Sequence, residues 1–213
     1  MREGLPLAVH FGSAAAELAV CVRAVGLVDR SDLSTLTLEA PPAQLSALMA
    51  RLAGATVAPG GLVSSGGAWW CGEGAGQVIV VCDRRTAERL TEALRGDAAR
   101  HVSVRDRSSE LSAIGLLGPG TSKVLAALGA YGASGDPRDA APFAREQVEG
   151  IAARWLLQSD RRALALVARA QAGEAWLALE RLGRPFGISC VGHEAACRYA
   201  LMERLHPVAP AYI

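Results

Sequence analysis

The chain has 213 residues, of which 51% are hydrophobic and 20% charged, with 22 basic and 21 acidic side chains and a formal net charge of +1. This composition can bury a core and excludes wholesale disorder, and the length suits one large or two small domains. A net charge near zero argues against a polyanion-binding protein, so neither nucleic acid nor a membrane surface is an expected partner.

The number and spacing of the cysteines indicate the cellular compartment of the protein. Five cysteines occur at irregular spacing in a chain large enough to fold without disulfides, which predicts reduced thiols and a cytoplasmic protein. The first ten residues contain no full apolar segment and no small-residue cleavage site, so no signal peptide is predicted. No run of about 18 apolar residues occurs, and the sequence therefore predicts no membrane-spanning helix.

The chain contains an internal repeat. Residues 29–31 read Asp-Arg-Ser, and the same three residues recur at 106–108, 77 positions later. A strand-like segment follows each copy, and then a proline, at Pro41 in the first copy and at Pro119 in the second. Because proline suits the first turn of a helix, both copies are predicted to run from a strand into a helix.

The first copy shows both periodicities. Leu36 and Leu38 alternate with two threonines, which is typical of a half-buried strand. The helix after Pro41 carries an apolar stripe at spacing i, i+3, i+4 and i+7, formed by Leu45, Leu48, Met49 and Leu52. In the second copy, Ile114 and Leu116 occupy the same strand positions, and a shorter apolar stripe follows. The two copies therefore predict the same local structure.

Each half closes with a second type of segment, a buried strand followed by a polar turn and a helix. These strands are predicted at 78–81 and 164–167. The offset between the halves is larger here than at the Asp-Arg-Ser copies, which predicts an insertion in the second half, most simply at 132–142.

The predicted elements define two similar halves, about 28–97 and 106–190, and a closing helix at about 193–204. Each half is a strand, a helix, a hairpin and a final helix. We expect an α+β fold of two pseudo-repeated, antiparallel sheet-plus-helix halves around a central cleft, where a ligand would bind.

Several motifs occur in an order that is typical of one superfamily. Phe11-Gly12 precedes a helix that leads to Gly-Leu-Val-Asp-Arg-Ser at 26–31, Gly118-Pro119 follows the second strand, and Gly-His-Glu-Ala at 192–195 opens the closing helix. Together they resemble the folate-binding superfamily of the glycine-cleavage T-protein, or aminomethyltransferase. The resemblance covers about 9–204 and implies a single folate-binding unit over 1–213, with tetrahydrofolate as its ligand.

The chain departs from this family at the positions that carry its chemistry. The family places a catalytic acidic residue shortly after a Gly-Gly hairpin, whereas Ala-Trp-Trp-Cys at 68–71 follows Gly66-Gly67 here. The Glu of the family's Gly-Tyr-Thr-Gly-Glu segment is also missing near 157–161, although Asp160 lies one residue away. The family's C-terminal barrel is not expected, because the chain stops at Ile213. We therefore predict no catalytic residue of the T-protein type.

Four residues are candidates for lining the folate cleft: Trp69, Trp70, Gln158 and Asp160. The two tryptophans point to opposite faces of a strand, so one ring can stack on a planar pterin while the other packs. The alternative is that both are core residues. The glycine-rich run at 72–76 is interpreted as a tight hairpin turn and not as a dinucleotide-binding motif.

Three other motifs have structural interpretations that are preferred over functional ones. Cys190, His193 and Cys197 would share a helical face, but Gly192 indicates that the helix begins after Cys190, so no metal site is predicted. The loop at 118–123 is interpreted as a helix cap, with anion binding as the alternative. The aspartates of the two Asp-Arg-Ser copies are expected to brace the strand entries.

Two functions are compatible with these observations. The first is an aminomethyltransferase-like, tetrahydrofolate-binding protein of one-carbon metabolism, which positions a one-carbon carrier without the T-protein's acidic residue. The alternative is a non-catalytic accessory subunit, similar to the gamma subunit of heterotetrameric sarcosine oxidases, with flavoprotein partner subunits. The first would bind its ligand either weakly or as part of a larger complex, and the expected partners are flavoprotein subunits or further copies of this chain. A folate-dependent RNA-modification protein is disfavoured by the absence of a basic patch.

Overall fold

The computed structural model describes residues 7–95, 101–129 and 141–205. Up to residue 95 the elements are α1 (Ala14–Arg23), β1 (Val25–Asp29), β2 (Ser34–Glu39), α2 (Pro42–Ala53), β3 (Leu62–Ser65), β4 (Ala68–Gly74), β5 (Gln77–Cys82) and α3 (Arg84–Ala93). From residue 101 onward they are β6 (Ser103–Asp106), β7 (Leu111–Leu117), α4 (Thr121–Ala127), β8 (Phe143–Val148), β9 (Ile151–Ser159), β10 (Arg162–Ala168), α5 (Ala172–Gly183), β11 (Ile188–Cys190) and α6 (His193–Leu205).

The strands form a six-stranded sheet, in the order β11-β1-β7-β10-β9-β8, and a five-stranded sheet, in the order β3-β4-β5-β2-β6. The order β7-β10-β9-β8 in the first sheet matches β2-β5-β4-β3 in the second, so the two halves build equivalent sheets. The strand that precedes each half is exchanged, because β1 pairs with β7 and β6 pairs with β2. The predicted α+β class is confirmed, although β1 and β11 pair in parallel and not antiparallel.

The chain divides into two compact units, one formed by the chain up to Ser31 and from Ser112 onward, the other by Asp32–Leu111. In the first unit, α4 and α5 pack on one face of the six-stranded sheet around Leu27, Leu116 and Trp155. On the opposite face, α1 and α6 cover β1 and β7 through a smaller cluster that includes Cys21 and Tyr199. This unit therefore has apolar layers on both sides of its sheet.

In the second unit, α2 and α3 pack on one face of the five-stranded sheet around Leu36, Leu38 and Trp70. Pro41 is the residue that precedes α2, Pro42 occupies the first turn of the helix, and Gly54 ends the helix with a φ of 69°. The alternation in β2 predicts a half-buried strand, but Thr35 and Thr37, which alternate with Leu36 and Leu38, are also buried. The alternation in β2 therefore separates two buried faces.

The two Asp-Arg-Ser copies have the same local structure. Asp29 Oδ1 accepts a hydrogen bond from the Ser31 amide at 2.8 Å, and Asp106 Oδ1 accepts one from the Ser108 amide, also at 2.8 Å. Each aspartate thus braces a turn between two strands, as predicted.

Two further sequence predictions have different outcomes. Most of the predicted insertion at 132–142 lies outside the described residues. Over the described part of the chain, no helix has the length and apolar character needed to cross a membrane.

Candidate ligand-binding site

The β3–β4 hairpin determines where the two candidate tryptophans point. Its turn consists of Gly66 and Gly67, whose φ values of 63° and 80° lie in the left-handed region, and Ser65 pairs with Ala68 across it. A two-residue turn with both φ values positive is the type I′ turn that matches the twist of a hairpin. The turn fixes the register of β4 and so determines which face of the sheet each side chain occupies. Because successive side chains alternate, Trp69 and Trp70 lie on opposite faces, as predicted.

Trp70 is a core residue of the second unit. Only 1% of its surface is exposed, and it packs under α2 and α3. Its indole Nε1 donates a hydrogen bond to the Ser65 carbonyl at 3.3 Å, which satisfies the buried N–H. Of the two rings, Trp70 is therefore the one that packs.

Trp69 lies on the opposite face of the sheet and is partly exposed. It pairs with Val81, while Cys71, two residues further along the strand, is fully buried and pairs with Ile79. On the same face, the Thr37 hydroxyl is buried without a hydrogen-bond partner among the described residues. This face thus combines one accessible aromatic ring with a buried polar atom that no described group satisfies.

The position of the family's catalytic acid is occupied by groups that cannot replace it. After the Gly-Gly turn come Trp70, in the core, and Cys71, whose thiol pKa is raised by burial and, to a smaller extent, by the nearby Glu73 carboxylate. A buried, protonated thiol is neither a general base nor an activated nucleophile. Neither Trp70 nor Cys71 is therefore an acidic group of the kind that the resemblance implies after the Gly-Gly turn.

Gln158 and Asp160 belong to the β9–β10 hairpin of the first unit. Leu157 pairs with Ala163 and Ser159 pairs with Arg162, which leaves Gln158 as the additional residue of a β-bulge. Bulges redirect side chains and are frequent beside functional sites. Gln158 and Asp160 are both partly exposed. The hairpin therefore presents an amide and a carboxylate within three residues.

The turn of this hairpin is anchored to the loop before α4. The Arg161 carbonyl accepts hydrogen bonds from the Gly118 amide at 2.8 Å and from the Thr121 hydroxyl at 3.3 Å. Thr121 is completely buried. Donors of the loop at 118–123 are thus used within the fold, which favours its interpretation as a helix cap over anion binding.

Next to the hairpin lies a partly buried ion pair that the sequence did not predict. Arg162 Nε in β10 lies 3.3 Å from Glu203 Oε2 in α6, and both side chains are 21% exposed. Burial lowers the pKa of Arg162 and raises the pKa of Glu203. The phenol of Tyr199 faces the same carboxylate, and burial together with Glu203 raises its pKa. The ion pair joins the candidate hairpin to the closing helix.

A second missed residue connects two of the family-like motifs. Glu17 in α1 is 7% exposed and accepts hydrogen bonds from the Phe11 amide at 2.6 Å and the Gly192 amide at 2.7 Å. These amides belong to the aromatic-glycine segment and to the start of the closing helix. An acidic residue in the first turn of a helix is common, so nothing in the local sequence distinguishes Glu17.

The cysteine and histidine of the closing helix approach each other. Helix α6 begins at His193, after Cys190 as predicted, and Cys197 Sγ lies 3.3 Å from His193 Nε2. Within the described ranges, no three His, Cys, Asp or Glu side chains are grouped as metal ligands would be.

The four candidate ligand residues are therefore divided equally between the units. Trp69 and Trp70 belong to the five-stranded sheet of the second unit, and Gln158 and Asp160 to the β9–β10 hairpin of the first. Trp69, Gln158 and Asp160 have surface available to a ligand, whereas Trp70 does not.

Two solved structures have a similar fold. A chain of the heterotetrameric sarcosine oxidase from Corynebacterium sp. U-96 aligns with a TM-score of 0.64 and 20% identity, over 83% of this chain and 93% of that chain. The glycine cleavage system aminomethyltransferase T from Bartonella henselae aligns with a TM-score of 0.64 and 16% identity, over 89% of this chain and 54% of that chain. The present chain thus spans about half the length of that enzyme.

The sequence matches no family model and no curated protein. The likeness is therefore one of fold, and it confirms the structural side of the resemblance seen in the motifs. This chain has the fold that is shared by aminomethyltransferase T and by a chain of heterotetrameric sarcosine oxidase.

Proposed function

We propose that this chain is an aminomethyltransferase-like protein that binds tetrahydrofolate and serves one-carbon metabolism without the catalytic acid of the T-protein. The observation that carries the proposal is the fold, which aligns over 89% of this chain with an aminomethyltransferase T. The buried Trp70 and Cys71 at the position of the catalytic acid support a binding role over catalysis.

The proposed contacts follow from the chemistry of the ligand. A pterin is flat and carries hydrogen-bond donors and acceptors at its edge, so an accessible indole and short polar side chains suit it. In the second unit, Trp69 is the candidate stacking residue. In the first unit, Gln158 offers an amide with both donors and an acceptor, and Asp160 offers an acceptor. In this proposal the protein holds and orients the one-carbon carrier, and the reaction itself occurs elsewhere or on a partner.

Isothermal titration with tetrahydrofolate and with 5-formyltetrahydrofolate tests the proposal. We expect saturable binding by the whole chain, weakened about threefold to tenfold by Trp69→Ala, since loss of an aromatic stacking partner costs about 0.5–1.5 kcal/mol. Gln158→Ala should weaken binding, whereas Gln147→Ala, an exposed glutamine of β8, should not. No heat of binding at millimolar ligand would contradict the proposal.

The second candidate function is an accessory subunit of a sarcosine-oxidase-like flavoenzyme. It is favoured by one observation: the alignment covers 93% of a chain from a heterotetrameric enzyme, whereas it covers 54% of aminomethyltransferase T. Affinity purification from the native host distinguishes the two. Stoichiometric recovery of a flavin-containing protein supports the accessory role, and recovery of this chain alone or as a homo-oligomer contradicts it.

A further inference from the structure

Helix α6 holds a cysteine and a histidine in direct contact at its surface. Cys197 Sγ lies 3.3 Å from His193 Nε2, across the i, i+4 spacing that places two side chains on one face of a helix. Cys197 is exposed, whereas the other four cysteines are buried or partly buried. The Cys197 thiol is therefore accessible to a reagent in solution and lies beside a group that can form a hydrogen bond with it.

The surroundings of the imidazole indicate which of its nitrogens carries the proton. His193 Nδ1 is buried and has no hydrogen-bond partner among the residues that the structure describes. A proton on Nδ1 would leave a buried N–H without an acceptor, and such N–H groups are rare in folded proteins. The neutral ring with its proton on Nε2 avoids this cost. In that tautomer Nε2–H donates a hydrogen bond to the Cys197 sulfur, which favours the thiolate, the reactive form.

The charged groups around the pair are engaged with other partners. On α6, Arg198 Nη2 donates to Glu194 Oε1 at 2.5 Å. On α1, which packs against α6, Glu17 accepts hydrogen bonds from two backbone amides. Because Glu194 holds the Arg198 guanidinium toward the start of the helix, this group is directed away from the turns that follow Cys197.

Those turns present apolar side chains. Leu201 and Leu205 follow Cys197 at i+4 and i+8, on the same face, and are 57% and 68% exposed. A substituent that is attached to the Cys197 sulfur and lies along these leucines would remove apolar surface from water. The surface beside the thiol therefore favours a reagent with an apolar substituent.

We propose that Cys197 is a modification site that undergoes thiol–disulfide exchange with small disulfides carrying an apolar substituent, and that His193 stabilises its thiolate. The Cys197 thiolate attacks the sulfur that bears the substituent, so that a new S–S bond forms and the original S–S bond breaks. The electron pair of the broken bond leaves with the second sulfur, which takes up the proton that Cys197 released. The small disulfide is thus reduced, and the protein thiol is oxidised to a mixed disulfide. The inference does not depend on folate binding by this chain.

Two pyridyl disulfides with the same leaving group test the site on the whole chain, one with a butyl and one with a sulfonatoethyl substituent. Absorbance of the released thiopyridone gives the rate, peptide mass spectrometry identifies the modified cysteine, and a free cysteine peptide gives the intrinsic rate of each reagent. Relative to that peptide, we expect Cys197 to react about threefold faster with the butyl reagent than with the sulfonatoethyl reagent.

Leu201→Ser should remove this preference. Leu177→Ser, at a leucine of α5 that is 60% exposed, is the matched control and should keep it. Cys197→Ser should remove the fast phase with both reagents. Equal relative rates of the two reagents with the wild-type chain would overturn the proposal.

The role of His193 is tested with the butyl reagent at two pH values. His193→Ala should slow modification of Cys197 about tenfold near pH 7, because the thiolate loses a hydrogen bond. At about pH 9.5 an ordinary thiol is largely ionised, so the difference should shrink to about twofold. His193→Gln keeps an N–H donor and should recover much of the rate near pH 7. His101→Ala, at an exposed histidine elsewhere, should leave the rate unchanged.

Two results with His193→Ala would overturn the proposal. One is a wild-type rate near pH 7. The other is slowing by the same factor at both pH values, which would show that His193 only supports the start of the helix. If His193→Ala fails to fold, His193→Phe, which keeps a ring without an N–H, takes its place.

Discussion

At the scale of single residues, burial raises the thiol pKa of four of the five cysteines. Burial raises the pKa of Cys21 and of Cys82 to about 12, and it also raises the pKa values of Cys71 and Cys190. Cys197 is the exposed one, on α6, with His193 Nε2 at 3.3 Å from its sulfur. Because the thiolate is the nucleophile, these differences determine which cysteine reacts first.

We expect iodoacetamide at about pH 8 to modify Cys197 well before the buried thiols, by a factor on the order of a hundred. A thiol with a raised pKa stays protonated at this pH, and burial also excludes the reagent. Peptide mass spectrometry over time measures the order, and Cys197→Ser is the control that should remove the fast phase. Modification of Cys71 as fast as Cys197 in the folded protein would contradict the burial of β4.

At the scale of elements, the Arg162–Glu203 pair connects β10 to α6 at an energetic cost. The lowered pKa of Arg162 and the raised pKa of Glu203 have the same first cause, which is burial of the charged form. Their mutual attraction therefore does not fully offset their desolvation. Since breaking such a pair leaves one partly buried charge without its partner, a single replacement should destabilise the protein more than the double replacement does.

Arg162→Met should destabilise the protein by about 1–3 kcal/mol at neutral pH, whereas Arg162→Met combined with Glu203→Leu should be close to wild type or more stable. The pKa of Glu203 is already raised in the folded state, so its folded form favours the proton. The contribution of Glu203 to the free energy of unfolding is therefore fully present below the carboxyl pKa of the unfolded chain. It is lost as the pH rises through the pKa of Glu203 in the folded protein. Urea denaturation should therefore show a smaller defect for Arg162→Met near pH 4 than near pH 7.

The sequence predicts those elements whose structure depends on residues that are close together in the chain. The strand and helix after each Asp-Arg-Ser copy, the Gly66-Gly67 hairpin and the opposite faces of the two tryptophans all follow from periodicity and turn chemistry within a few residues. The exchange of β1 and β6 between the sheets, and the parallel pairing of β11, depend on partners far away in the chain. No local pattern encodes such pairings.

The same limit applies to the candidate site. The partial exposure of Trp69 and the burial of Thr37 depend on what covers the second face of the sheet, which alternation alone does not determine. The bulge at Gln158 depends on strand register, and the β8–β9 turn uses Glu-Gly in place of the usual Asn-Gly or Asp-Gly signal. These features required the three-dimensional structure.

At the scale of the whole molecule, the two units differ in how the chain builds them. The second unit is one continuous segment, Asp32–Leu111, whereas the first combines the segment before it with the segment after it. Within the second unit, β3, β4 and β5 form a meander of neighbouring hairpins. In the first unit, Gly26 pairs with Leu117 and Val25 pairs with Ile188, so β1 pairs with strands that are distant in the sequence. The sheet of the first unit is therefore completed only by pairings of high sequence separation.

We expect β1 to be the last central strand to form during refolding. Closing a long loop costs more entropy than closing a hairpin, so the amides of β1 should gain protection about tenfold more slowly than those of β4 and β5. Pulse-labelling hydrogen exchange with peptide resolution measures this order. The β9–β10 hairpin is the matched control, because it belongs to the same unit as β1 but forms from adjacent segments and should be protected early. If β1 and β9 gain protection together, while β4 and β5 are already protected, the delay belongs to the first unit as a whole and not to the separation of β1 from its partners in sequence.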